Sequence, residues 1–327
     1  MNTKNINYFL NFIFSLTLGI GFLYFVFKDV DISSYSLRIN ELSYYWIIFA
    51  ILISVLEFVV RAYRWNLLLE FKHRDLSTYK TTLGLTISYL SAIILPRIND
   101  LVRCYILSKT DNVKFSISIG SVVTERIVDL ISLLVLALIL LLVEFDRFYN
   151  YLMIEVVGNA EVNTILFYLF ILFSVGGLLY FIIKFFKNSN LFENINEKIS
   201  EFKSGFFSIF TLKKKLEFFL STIMLWLIYF VVGYLLFFSV DETSFLGFSA
   251  ALSILVAGAI GTIVPVNAGI GSYHLFVASI LIYYGIEYED GLFFATVVHA
   301  SHVVVILFFG IISLILLYFD VYRKKKK

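Results

Sequence analysis

One cysteine, two prolines, four histidines and few charges stand out as scarcities in this 327-residue chain. Cys104, standing alone, closes no internal disulfide and builds no cysteine metal site. Charged residues make up 15 % of the chain, against about 25 % in soluble domains, and apolar residues 60 %, against about 45–50 %. The 26 Lys and Arg nearly cancel the 24 Asp and Glu, for a net charge of +2. What the chain has instead is long uncharged runs: Tyr8–Phe27, Thr164–Ile183, Phe218–Val240 and Gly291–Phe319. About 20 apolar residues cross a bilayer core. The composition therefore predicts an all-α polytopic membrane protein. It excludes a cytosolic enzyme, a nucleic-acid binder and a disulfide-stapled secreted module.

Lys4 before the first run looks like the start of a signal peptide. However, the run is longer than a typical signal core, and Lys28-Asp29-Val30-Asp31 follows in place of a small-residue cleavage site. We read it as a retained helix. Six spans are predicted, at about 8–27, 44–60, 116–143, 164–183, 218–240 and 291–319. Two further apolar regions are broken. Thr81–Pro96 runs into Arg97, Asp100 and Arg103, and Thr243–Ile286 is interrupted around Pro265. Both are read as re-entrant hairpins that enter and leave on one side. With the N-terminus inside, 20 of the 26 Lys and Arg fall on inner segments, and Lys28, Arg38 and Arg147 fall outside. Arg97, Arg103 and Arg126 fall at membrane depth. That asymmetry obeys the positive-inside rule and puts both termini in the cytoplasm.

The pattern repeats. Residues 1–163 and 164–327 each read as span, span, broken hairpin, span, so a single membrane domain is built of two inverted halves. The only two prolines, Pro96 and Pro265, mark the break of each hairpin. Matching broken helices in inverted halves are a transporter signature, with the substrate site between the breaks. The plain alternative is that the hairpins only fill the bundle. Gly269 and Gly271 suit a tight turn at the second break.

Glu125, Arg126 and Asp129 open the third span. The uncharged stretch after them, Leu130–Val143, is about 21 Å of helix, short of the roughly 30 Å hydrocarbon core. These charges therefore lie below the interface, and Glu125 and Asp129, four apart, share a helix face. Arg97 and Arg103 are their expected partners, and Asp100 that of Arg126. Two readings stay open: an ion-pair lock, or an anion site or proton relay. Glu57, Arg61 and Arg64 share a face of the second span, with Arg64-Trp65 read as an interfacial flank. His299 and His302 sit three apart in the last span, where hydrogen bonding between helices is favoured over metal binding. His274 is a titratable candidate beside the glycine-rich break. The inner segment Lys184–Lys215 reads as an amphipathic helix at the lipid surface.

Four motifs in order carry a resemblance: Arg61-Ala-Tyr-Arg64-Trp, Leu95-Pro96-Arg97-Ile-Asn-Asp100-Leu-Val-Arg103, Glu125-Arg126-Ile-Val-Asp129, and Val264-Pro265-Val-Asn267-Ala-Gly269-Ile-Gly271-Ser-Tyr-His274. The chain resembles the lysylphosphatidylglycerol synthase transmembrane region, or flippase-like membrane protein, family. The resemblance implies paired re-entrant helices that move a lipid or lipid-linked headgroup between leaflets. Asn99 and Ala268 stand where the family pattern has glycine, and His274 where it often has glutamate, so no headgroup preference transfers from that acid. The resemblance covers the membrane region and not the aminoacyl-transfer domain of the synthases, so aminoacyl transfer is not expected of this chain alone.

The reading that follows is a bacterial inner-membrane translocase of an anionic or zwitterionic lipid, with no cofactor and no metal. Arg97, Arg103 and Arg126 attract the phosphate, while Asp100, Glu125 and Asp129 hold them and are the proton-carrying candidates. Arg61, Asn267 and His274 complete the substrate-binding set. Pro96, Pro265, Gly269 and Gly271 line the path. Membrane lipids are the expected partners, with a homo-oligomer or a separate lipid-modifying enzyme left open. The rivals are a membrane-embedded transferase acting on a lipid-linked substrate and a non-catalytic subunit of an envelope-lipid assembly.

Overall fold

In the computed structural model, residues 32–70, 76–94, 98–145, 197–264, 266 and 269–325 are described, with positions 17, 21, 23, 24 and 26–28. The predicted spans at 8–27 and 164–183 otherwise lie outside the described residues, as do Pro96, Arg97, Pro265 and Asn267. Among the described residues there is no strand. Residues 1–136 and 201–327 form one compact unit and residues 137–200 a second. Most of the second lies outside the described residues.

A short helix α1 (Ile32–Arg38) precedes the long helix α2 (Tyr44–Leu69). Two short helices follow, α3 (Thr78–Ile94) and α4 (Asn99–Thr110), then the long α5 (Phe115–Val143). After the gap come α6 (Glu197–Phe206) and the long α7 (Lys215–Phe237). A second short pair, α8 (Phe248–Ile263) and α9 (Ser272–Ile282), leads into α10 (Tyr288–Lys325). Among the described residues four helices, α2, α5, α7 and α10, are long and apolar enough to cross a membrane. They match four of the six predicted spans. Side chains such as Leu52, Leu227 and Phe308 stand more than half exposed on them. Water does not tolerate so large an apolar surface, but lipid does.

The short helices behave differently. Those of α3 and α4 have 17 and 12 residues, and those of α8 and α9 have 16 and 11. At 1.5 Å per residue none reaches the roughly 30 Å of the hydrocarbon core. Each pair packs helix on helix, and small residues set how close. At Gly261 an added Cβ would lie 2.9 Å from the Tyr273 Cα, so α8 and α9 meet backbone to backbone. The break before α9 turns through Gly269 (φ 76°) and Gly271 (φ 83°), a conformation that side-chain-bearing residues rarely adopt.

The core lies in two places that matter here. Around α7 to α10 it is aliphatic and aromatic, with Phe237, Phe294 and Leu281 fully buried. At the other end Trp65, Leu68, Leu107 and Ile117 pack α2, α4 and α5 together. Helix α2 runs past the predicted end at residue 60 to Leu69. Its arginines do not end the helix because they are buried against acids on α5, as follows. The segment read as a lipid-surface helix contains α6, and α5 covers one face of it: Gly205 crosses so close to α5 that a Cβ there would meet the Ile117 carbonyl oxygen at 2.1 Å. Ser116 donates to Glu201 at 2.7 Å, and Thr124 donates to the Phe206 carbonyl.

Candidate functional site

Three helices supply a charged cluster. From α5 come Glu125 and Asp129 on one face, with Arg126 turned to the side. Helix α2 supplies Arg61 and Arg64, three apart, and the first turns of α4 supply Asp100 and Arg103. Glu125 is fully buried, ten residues or about 15 Å into its helix. Its Oε1 accepts from Arg61 Nη1 at 2.8 Å and from Arg64 Nη2 at 3.2 Å, and its Oε2 accepts from Arg103 Nη1 at 2.8 Å. Asp129 Oδ2 accepts from Arg61 Nη1 at 3.4 Å. Its Oδ1 lies 2.7 Å from Arg64 Nη1, an ion pair without hydrogen-bond alignment. Asp100 joins Arg103 Nη2 at 2.9 Å to Arg126, whose Nη2 and Nε reach it at 2.8 and 3.1 Å.

The carboxylates thus act as rungs. Asp100 links Arg126 to Arg103, Glu125 links Arg103 to Arg61 and Arg64, and Asp129 links the last two again. The ladder runs inward: the Arg126 side chain is 43 % exposed, Asp100 27 %, and Glu125 and Arg64 0 %. Four guanidinia meet three carboxylates, so the ladder carries one formal positive charge in excess. Arg64 Nε and Nη1 and Arg103 Nε are buried donors that make no aligned hydrogen bond. Such groups are costly to bury, by about 1–3 kcal/mol each, and they offer anchoring points to an anion.

Aromatic side chains fix the arginines. Trp65 donates to Ser121 at 2.9 Å, and the Arg103 guanidinium lies over its ring at 4.8 Å. Arg61 Nη2 donates to the Tyr229 hydroxyl on α7 at 2.7 Å. Arg64-Trp65, expected at the membrane interface, is instead buried in the cluster, because Glu125 and Asp129 neutralise the arginine there. Tyr229 and the buried Glu57, on the Arg61 face of α2, were not in the predicted site. Tyr229 is one of 21 tyrosines and carries no local signature. Glu57 was marked by its spacing from Arg61 alone.

The other predicted residues separate. His274 is buried at the start of α9, where its Nδ1 accepts from the Gly271 N–H at 3.3 Å. Its ring lies 4.9 Å from that of His299 and 6.0 Å from Phe27, and its described contacts include none of the cluster arginines. Gly269 and Gly271 shape the turn before it. Asn267, Pro265, Pro96 and Arg97 lie outside the described residues. No group of three or more His, Cys, Asp or Glu among the described residues is arranged to hold a metal.

An excess of guanidinium buried between helices, reached through an exposed arginine, can take an anionic group and hold it through several charge-assisted hydrogen bonds. No curated protein and no solved structure matches the chain. The family model for the lysylphosphatidylglycerol synthase TM region matches residues 12–310, a range that contains the whole cluster and both short-helix pairs, and the chain belongs to that family.

Proposed function

We propose that the protein moves an anionic or zwitterionic lipid between the leaflets of the bacterial inner membrane, and that it does so as a translocator rather than as an enzyme. The observation that carries this reading is the ladder from exposed Arg126 to buried Arg61 and Arg64, with one guanidinium more than it has carboxylates. A headgroup phosphate meets Arg126 first. It then competes with Asp100 and Glu125 for the arginines they hold, exchanging one ion pair for another so that no charge stands uncompensated in low dielectric. The acyl chains stay in lipid throughout.

The two short-helix pairs would be re-entrant hairpins of two inverted halves, whose rearrangement exposes the ladder to each leaflet in turn. Their lengths support this, since none of the four helices spans the hydrocarbon. The membrane-embedded transferase and the non-catalytic subunit are the rival readings. The test is the purified protein in phosphatidylcholine vesicles carrying a trace of fluorescent lipid, with dithionite added outside. Labelled phosphatidylglycerol and phosphatidylethanolamine from the inner leaflet should become accessible at a protein-dependent rate, and labelled diacylglycerol should show no protein-dependent increase. Rates equal to protein-free vesicles for both phospholipids would remove translocation.

A further inference from the structure

Glu57 stands apart from the ladder. It lies thirteen residues after the start of α2 and twelve before its end, which is about 20 and 18 Å along the axis, at mid-helix. It is 5 % exposed. No hydrogen bond or ion pair joins it to another described residue. Arg61, one turn further on, is already engaged: Nη1 serves Glu125 and Asp129, and Nη2 serves Tyr229. Among the described residues, the charged and titratable groups around Glu57 are Arg61 on its own helix, Tyr89 on α3 and Tyr229 on α7. His302 on α10 lies in the field of the same Arg61. Among these, only Arg61 could neutralise a carboxylate.

An unpaired carboxylate out of water is far costlier than the neutral acid. We propose that Glu57 is an exchangeable proton site through which the lipid moves together with one proton, a reading that rests on the translocation proposed above. Its ionised form adds a negative charge one turn from Arg61 and so competes with a phosphate for that guanidinium. The protonated form removes the competitor. A phosphate with charge −1 and a proton on Glu57 enter as a neutral pair, so the low-dielectric ladder gains no net charge. At the opposite face the Glu57 O–H bond breaks, its proton passes to water, and the restored carboxylate expels the lipid from Arg61. The only bond made and broken is that O–H.

The experiment uses the full chain in phosphatidylcholine–phosphatidylglycerol vesicles with a trace of labelled phosphatidylglycerol. Potassium and valinomycin clamp the potential, and a gradient of one pH unit is imposed. Dithionite reads the leaflet distribution at steady state. One proton per lipid predicts a bias approaching tenfold, which a protonophore collapses, whereas Glu57→Gln ends with equal leaflets under the same gradient. A wild type that moves lipid yet stays even under the gradient overturns the proposal. So does a Glu57→Gln protein biased like the wild type. If that variant does not fold, the wild type with and without protonophore decides. A wild type that moves no lipid, gradient or not, overturns the translocation itself, and that outcome is distinct from the others.

Discussion

Replacing Glu125 by Gln removes the charge that three guanidinia share, at 2.8, 3.2 and 2.8 Å. The side chain keeps its volume, so packing is spared and the change is electrostatic. The ladder goes from one excess positive charge to two, in a place where the central carboxylate and Arg64 are fully buried. The amide also turns donors toward arginines that have nothing to accept with. Removing one partner of a buried pair costs about 3–5 kcal/mol. At about 2–4 °C per kcal/mol for chains of a few hundred residues, the unfolding midpoint should fall by roughly 6–20 °C. The readout is built in, since Cys104 is the chain's one thiol and is fully buried. A thiol-reactive fluorophore therefore reports unfolding directly during heating in detergent. Asp129→Asn is the control, because Asp129 is 17 % exposed and makes one aligned hydrogen bond at 3.4 Å. It should lose only about 1–3 kcal/mol. A Glu125→Gln midpoint within a degree of the wild type, or a larger fall for Asp129→Asn, would refute the claim that Glu125 is the centre of the cluster.

Arg38 reaches Glu242 at 2.8 Å and Asp290 at 3.0 Å and covers the Phe293 ring at 4.2 Å, at the end away from the ladder. Arg38→Ala should cost about 1–2 kcal/mol by the same thermal assay, and a fall as large as that of Glu125→Gln would contradict the ranking. Gly120→Val places a Cβ 2.2 Å from the Phe202 carbonyl oxygen, so α6 should lift from α5 and tryptic cleavage after Lys203 should speed up; an unchanged rate would show that the crossing tolerates side chains. In a Cys104→Ala background, Ser244→Cys should react with an impermeant thiol reagent from outside the cell and Ser77→Cys should not; the reverse pattern would invert the topology.

Much of this was legible in the sequence, for reasons that can be named. Uncharged runs longer than a bilayer is thick have few alternatives to spanning helices, and α5 and α7 begin and end within three residues of where hydropathy puts them. The pairing of Arg103 with Glu125 and of Asp100 with Arg126 is legible from depth and hairpin adjacency, since charges forced below the interface must find each other, whereas Asp129, expected on the hairpin arginines, meets Arg61 and Arg64 of α2. Helix α2 was cut short at residue 60 because a run of hydropathy ends at the first arginine, whatever that arginine meets in space. The same rule misplaced Arg64 and Trp65: an Arg-Trp pair at the end of an apolar run looks interfacial until an acid on another helix is known to face it. Contacts between distant segments left no local trace. The glycines at 120 and 205, whose bare Cα atoms let α5 and α6 cross, are 85 residues apart and each unremarkable in its own context. Tyr229 reaches Arg61 across 168 positions.

The central claim is that the arginine ladder moves the lipid, and Arg103 is its middle, bound to both Asp100 and Glu125 and stacked over Trp65. The direct measurement is the dithionite assay on vesicles holding equal amounts of folded wild type and Arg103→Ala, checked by Cys104 protection and gel filtration. The account predicts protein-dependent exposure of inner-leaflet phosphatidylglycerol by the wild type and a rate at the protein-free level for the variant. Equal rates for the two proteins would contradict it.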